Sequence, residues 1–76
     1  MIQIKHDIGS DVYYFNDMTQ KVENDSVVGI HVVQDESTGR YTIFYQLKNG
    51  LNIPDEAAFS DKDECISYYA ALFGAM

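Results

Sequence analysis

The chain holds few side chains that could form a catalytic or metal site. Its imidazoles are His6 and His31, and its one thiol is Cys65. A metal site needs three or four converging nitrogen, sulfur or oxygen ligands, and no His-x-x-His, Cys-x-x-Cys or EF-hand spacing is present. We therefore expect no metal and no cofactor. His31 is expected on the surface of a strand, and His6 with Asp7 as a solvated pair.

Nucleophilic chemistry would need Cys65, or a serine with a base beside it. Cys65 falls on the apolar stripe of a predicted helix, where a cysteine acts as a small hydrophobe. The serines stand in turn, cap or helix-surface contexts, and no Gly-x-Ser-x-Gly is present. Asp35 and Glu36 lie at a predicted hairpin tip, which is too exposed for the raised pKa of a general acid. The residues predict a protein that is not an enzyme.

Acidic side chains are the most concentrated chemistry in the sequence. Residues 55–64 hold five acids and one lysine, a net charge of −4: Asp55, Glu56, Asp61, Asp63 and Glu64 against Lys62. Asp61 and Asp63 are explained by the start of a helix, whose N–H groups and dipole favour carboxylates. The other three remain open as contacts to a basic partner.

The whole chain carries twelve acids against five bases, for a net charge of −7. Direct binding to nucleic acid or to an anionic membrane is disfavoured, because phosphate contacts need lysine and arginine. High net charge also keeps a small protein soluble without implying any partner.

Aromatic side chains are the other excess, with six tyrosines in 76 residues. Tyrosine and other aromatics are enriched at the energetic centres of interfaces. Tyr41, Tyr45 and Tyr69 are assigned to the core. The candidate partner-binding residues are four aromatics expected on the less buried faces, one imidazole and three acids: Tyr13, Phe15, His31, Phe44, Asp55, Glu56, Glu64 and Tyr68. The alternative is that closure of a barrel buries Tyr13, Phe15 and Phe44.

β-Branched and aromatic runs broken by Gly and Asn predict a hairpin region from Ser26 to Pro54. Period-two alternation predicts a core face, made of Val28, Ile30 and Val32 with Tyr41, Ile43, Tyr45 and Leu47. The far face then holds Val27, His31, Val33 and Phe44. A type I′ turn is predicted at residues 48–50 and short strands at residues 12–15 and 51–53. For residues 18–24 the prediction is either a polar, mobile segment or a strand that already begins in its latter half.

The C-terminal part predicts a helix from Asp61 to Phe73 that is capped by Ser60 and ended by Gly74. A single helical turn is expected before it, at residues 54–59. The apolar stripe that should face the sheet is Cys65, Ile66, Tyr69, Leu72 and Phe73, with Glu64, Ser67, Tyr68 and Ala71 facing away.

These elements predict one domain over residues 1–76. Its fold class is mainly β, with 4–5 short antiparallel strands and one C-terminal α-helix. The sheet is either an SH3-like barrel or a small twisted open sheet. One cysteine, no signal peptide and no apolar run of about 18 residues predict a soluble, cytoplasmic protein.

Short motifs resemble those of small phage and prophage proteins. They are Ile8-Gly9-Ser10-Asp11-Val12-Tyr13-Tyr14-Phe15, Val28-Gly29-Ile30, Gly50-Leu51-Asn52-Ile53-Pro54-Asp55-Glu56 and Phe59-Ser60. Ser10 is an extra residue relative to that family's opening motif, and Asp55 precedes the family's glutamate. The resemblance implies an SH3-like fold and the cytoplasm of a host cell, and it supplies no catalytic residue.

The leading functional prediction is a non-enzymatic phage-type protein that inhibits a host protein with a basic surface. Anti-defence and anti-CRISPR inhibitors are examples of such proteins. A second hypothesis is a nucleic-acid mimic, for which Asp25, Asp35, Asp55, Glu56 and Glu64 must share one surface. A third is a virion or self-assembling component, and a homodimer is left open.

Overall fold

The computed structural model of the chain describes residues 3–74. Its elements are β1 (Asp11–Asn16), β2 (Lys21–Gln34), β3 (Tyr41–Leu47), β4 (Asn52–Pro54), a 3₁₀ turn (Asp55–Ala57) and α1 (Lys62–Phe73). Strands make up 43% of the structure and helix 21%, which confirms the mainly-β class with one C-terminal helix.

The strands form one antiparallel sheet in sequence order, β1-β2-β3-β4, and the sheet curls into a half-barrel. The chain that follows β4 crosses the open side and returns to β1. There Tyr13 N–H donates to Phe59 C=O (2.7 Å) and Phe59 N–H donates to Tyr13 C=O (3.0 Å). We name residues 55–60 the closing segment, because this single bridge ties the two edges of the sheet.

β2 belongs to two hairpins, and a β-bulge separates its halves. Residues 21–26 pair with β1, whereas Val27 lies opposite Leu47 and Ile30 lies opposite Tyr45, with a register shift between Val27 and Gly29. The extra residue puts Val27 on the core face, 1% exposed, and leaves Val28 47% exposed. The predicted faces of these two residues are therefore wrong, since one inserted residue reverses the period-two alternation.

The core cluster lies inside the curl and draws on every strand. Its buried members are Val12, Tyr14, Val27, Ile43, Tyr45, Leu47, Ile53 and Ala58, with Ile30 packed against them. Ile43, Tyr45 and Leu47 confirm the predicted core face of β3. Tyr41 and Val32 were predicted in the core and are exposed instead, because they lie at the outer end of the β2–β3 hairpin, beyond the cluster.

A polar network fastens the N-terminal residues to the closing segment. The Tyr45 hydroxyl donates to Asp55 Oδ1 (2.6 Å) and accepts a bond from Lys5 N–H (3.3 Å), while Lys5 Nζ lies 3.4 Å from Asp55 Oδ2. His6 is buried, donates from Nε2 to Ala58 C=O (3.3 Å) and packs edge-on against Tyr45. The expectation of a solvated His6 is therefore wrong, because its ring fills the end of the core.

The turn and the cap also differ in detail from the predictions. In the turn at residues 48–50 only Gly50 has a positive φ (+93°), so it is not type I′, which needs two such residues. Asp61, not Ser60, caps α1 by accepting from Asp63 N–H (3.2 Å). Gly74 ends the helix as predicted.

α1 rests on the sheet through Cys65 and through Tyr69 and Phe73, whose rings pack against Phe15. Cys65 is fully buried and Tyr69 half-buried. Ile66, Leu72 and Phe73 of the predicted stripe are 43%, 59% and 49% exposed, so the sheet covers only part of that stripe. The helix lies mainly against β1 and β2, because the sheet curls away from it beyond these strands. Two strands are too narrow to cover the whole apolar stripe.

Replacing the Tyr45 hydroxyl tests the polar network. Tyr45→Phe keeps the ring and removes the bonds to Asp55 and Lys5, and it should cost about 1–2 kcal/mol of unfolding free energy. Tyr41→Phe is the matched control on the same strand, since Tyr41 is 52% exposed. Urea denaturation of the two variants should separate them. Equal unfolding free energies for the two variants would show that the Tyr45 hydroxyl does not stabilise the fold.

Candidate functional site

The closing segment and the start of α1 bring acidic and aromatic side chains to one place. Asp55, Glu56, Phe59 and Glu64 line a single cleft together with Lys5 and the buried His6. Tyr68 lies one helical turn after Glu64 on the same helix face, and its ring is 5.3 Å from that of Phe59. We call these five residues, Asp55, Glu56, Phe59, Glu64 and Tyr68, the acidic–aromatic patch.

The carboxylates of the patch are not equivalent. Asp55 is engaged inside the protein by Tyr45 and Lys5. Glu56 and Glu64 are exposed, and within residues 3–74 neither has an ion pair or a side-chain hydrogen bond. The charge offered to a partner therefore comes from the two glutamates, while Asp55 serves the fold.

The aromatic rings of the patch pack at tilted and edge-on angles. Tyr68 is 47% exposed and stands edge-on to Tyr69, with ring centres 5.0 Å apart. Tyr13 lies opposite Phe59 in the closing bridge, so both side chains leave the same face of that pairing. An exposed ring held at a fixed angle beside carboxylates suits an arginine or lysine side chain, which can stack on the ring while its charge meets a glutamate.

Phe15 belongs to a different surface. Its ring stacks on Tyr69 at 5.0 Å and lies 5.3 Å from Phe73, in an apolar groove that Val22 and Ile66 complete. Half-buried Phe15 thus helps to attach α1 to β1, and the open groove leaves part of Phe73 and Ile66 exposed.

His31 and Phe44 are placed together on the outer face of the β2–β3 hairpin. They lie opposite each other, and His31 Nε2 donates to Gln46 Oε1 (3.2 Å). With Val33 and Asn52 they line a shallow hollow that shares no residue with the acidic–aromatic patch. The predicted partner-binding residues therefore divide among three surfaces.

Asp25 and Asp35 lie away from the patch and from each other. The Asp25 carboxylate accepts a hydrogen bond from Asn49 N–H (2.8 Å) just beyond the end of β3. Asp35 lies just before the start of β3, where its backbone N–H donates to Arg40 C=O. The seven residues of β3 separate them by roughly 20 Å at the usual rise of a strand. Bonds from Ser37 lower the pKa of Asp35. Two of the carboxylates that a nucleic-acid mimic would need, Asp25 and Asp35, therefore lie at opposite ends of β3.

The thiol of Cys65 is buried against the sheet, and this burial raises its pKa. A thiol that resists ionisation is a poor nucleophile, so its environment is that of a packed apolar residue. Across residues 3–74 no three His, Cys, Asp or Glu side chains gather as a metal site would require. None of the described helices has the length and apolarity to cross a membrane.

No family model, curated protein or solved structure matches this chain. The resemblance to phage proteins stays a prediction based on its short motifs. Sequence reasoning did not identify Phe59 as a site residue, and its only local signal is an aromatic residue two positions before the helix cap.

The buried thiol predicts a specific loss of stability at high pH. Because the folded pKa of Cys65 is raised, its contribution is fully present below the ordinary pKa of 9.0 and is lost as pH rises through the folded pKa. Urea titrations from pH 7 to pH 10 should show a steeper decline for the wild type than for Cys65→Ala. Burial is the main cause of the raised pKa values of Tyr45 and Tyr69, and it acts in both proteins, so equal slopes would contradict this role of the thiol.

Proposed function

We propose that this chain is a non-enzymatic binding protein that attaches to a basic protein surface through the acidic–aromatic patch. One observation carries the proposal: Glu56 and Glu64 are exposed, have no ion pair within residues 3–74, and line one cleft with Phe59, whose ring lies 5.3 Å from that of Tyr68.

The patch supplies both parts of an interface that recognises cations. An arginine or lysine stacked on Tyr68 would gain about 0.5–2 kcal/mol, according to how dry the contact becomes. The net charge of −7 adds long-range attraction, which accelerates association with a positive surface. Since Phe59 is held by the closing bridge, its ring needs little ordering on binding.

The proposed biological role is inhibition of a host protein by a phage-type protein in the host cytoplasm. The motif resemblance supports the phage setting. A small, acidic protein can cover a basic surface that the host protein needs for its own function. Anti-defence inhibition belongs to this class. The separation of Asp25 from Asp35 by roughly the length of β3 favours a local protein contact over nucleic-acid mimicry, because duplex DNA carries a charge about every 1.7 Å.

Charge-neutral variants test the patch against net charge alone. Affinity capture from a host lysate compares the wild type with the double variant Glu56→Gln, Glu64→Gln. The matched control is Asp17→Asn, Glu36→Gln, which removes the same charge from exposed positions outside the patch. A basic protein held by the wild type and the control should be lost with the patch variant, with affinity at least about tenfold weaker, or ~1.4 kcal/mol.

Tyr68→Ala examines the aromatic half in the same assay, with Tyr41→Ala as the control at a similarly exposed tyrosine. Capture should fall for Tyr68→Ala only. Equal losses in the patch and control variants would attribute binding to net charge and would contradict the proposed site. Failure to capture any basic protein would overturn the proposed function.

A further inference from the structure

The outer half of β2 is a strand that is paired on one side only. Residues 29–34 pair with β3, but β1 ends its pairing with β2 at Ser26. The next residue, Val27, is the last one bonded on that side: its N–H donates to Ser10 C=O, and its C=O accepts from Gly9 N–H. Within residues 3–74 the other edge of residues 29–34 pairs with no strand and has no backbone hydrogen-bond partner.

The hydrogen-bond pattern shows which backbone groups point away from β3. Asp35 N–H donates to Arg40 C=O (2.8 Å), so Asp35 and Arg40 form a hydrogen-bonded pair. In an antiparallel ladder every second pair of opposite residues is hydrogen-bonded, so the pattern can be followed from Asp35 along β2. The residues of β2 bonded to β3 are therefore Val33, His31 and Gly29. Ile30, Val32 and Gln34 direct both N–H and C=O to the free edge.

This edge lacks the features that usually prevent strands from pairing. Natural edges carry charges, prolines or inward-pointing lysines, and residues 29–34 (Gly-Ile-His-Val-Val-Gln) contain no Lys, Arg, Asp, Glu or Pro. Val32 and Val33 are 43% and 51% exposed. The bulge at Val28 lies at the start of the segment and leaves the rest regular.

We propose that two copies of this chain pair along this edge, antiparallel, about a two-fold axis at Val32. In that register Val32 lies opposite Val32 of the second copy, and Ile30 lies opposite its Gln34. All three residues with outward groups then form hydrogen-bonded pairs. His31 falls opposite Val33 of the second copy, so the hollow that His31, Val33 and Phe44 line would continue across the interface.

The occupant is a second copy because the register is self-complementary in both hydrogen bonding and charge. Each copy carries −7, yet the paired segment is free of carboxylates. The nearest acid, Asp35, falls opposite Gly29 of the second copy, so no two acids face each other. A basic partner, by contrast, would find no counter-charge along this edge.

The geometry also limits assembly through this edge to a dimer. Pairing an edge with its own copy is isologous, and it uses up the edge on both subunits. The opposite edge of the hairpin is covered by β4 from Phe44 to Gln46, and it offers only the short stretch 41–43 beyond Pro54.

Amide hydrogen exchange at two protein concentrations tests the register directly. In dilute protein the amide hydrogens of Ile30, Val32 and Gln34 should exchange rapidly with solvent. In concentrated protein their exchange should slow at least about tenfold. The amides of His31 and Val33 already bond to β3 and serve as internal controls. A dimer that leaves the three outward amides fast would overturn this interface, and so would a chain that stays monomeric at millimolar concentration.

Val32→Lys is the matching variant, because it puts two ammonium groups opposite each other at the axis. Sedimentation equilibrium should show dimerisation weakened about tenfold or more. Thr42→Lys is the control with the same charge change on β3, away from the axis, and circular dichroism checks that both fold. Equal weakening of both variants would refute the edge.

Salt separates this proposal from the proposed function. Screening of two −7 copies should strengthen the dimer as ionic strength rises, whereas attachment of the acidic–aromatic patch to a basic surface should weaken. A dimer that dissociates in salt would contradict edge pairing without touching the patch.

Discussion

The bulge in β2 is the constraint on which the rest of the structure depends. A strand of fourteen residues can serve two hairpins only if it bends, and the inserted residue at Val28 supplies both the bend and a change of face. Val27 and Ile30 thereby reach the same core. A Cβ at Gly29 would lie 3.0 Å from Gln46 Oε1, so the absence of a side chain there leaves room for the side chain of Gln46.

Closure of the half-barrel connects this bend to the candidate site. The curl brings β1 within reach of the chain after β4, and Tyr45 then fixes that chain through Asp55. One acid of the cluster is used to hold the fold, and its position sets those of Glu56, Phe59 and Glu64. The surface proposed to bind a partner is thus a consequence of how the sheet is closed.

The sequence predicted the elements well because turn residues, alternation and helix periodicity are local. It misassigned Val27 and Val28, since period-two alternation cannot detect an inserted residue. It misassigned Val32 and Tyr41, since alternation does not show where the hairpin extends beyond the core. Ser60 and Asp61 are both good caps, and only the backbone path selects Asp61. Phe59 escaped notice because its role comes from the bridge to Tyr13, a contact 46 positions along the chain.

The two proposed surfaces are chemically opposite and share no residue. The patch is charged and belongs to the closing segment and α1, while the β2 edge is neutral and belongs to the hairpin. Pairing of the edges would place two patches on one dimer, and a partner with two basic sites at matching separation would then be held by both. The second contact would be intramolecular, so weak individual patches would suffice for firm attachment.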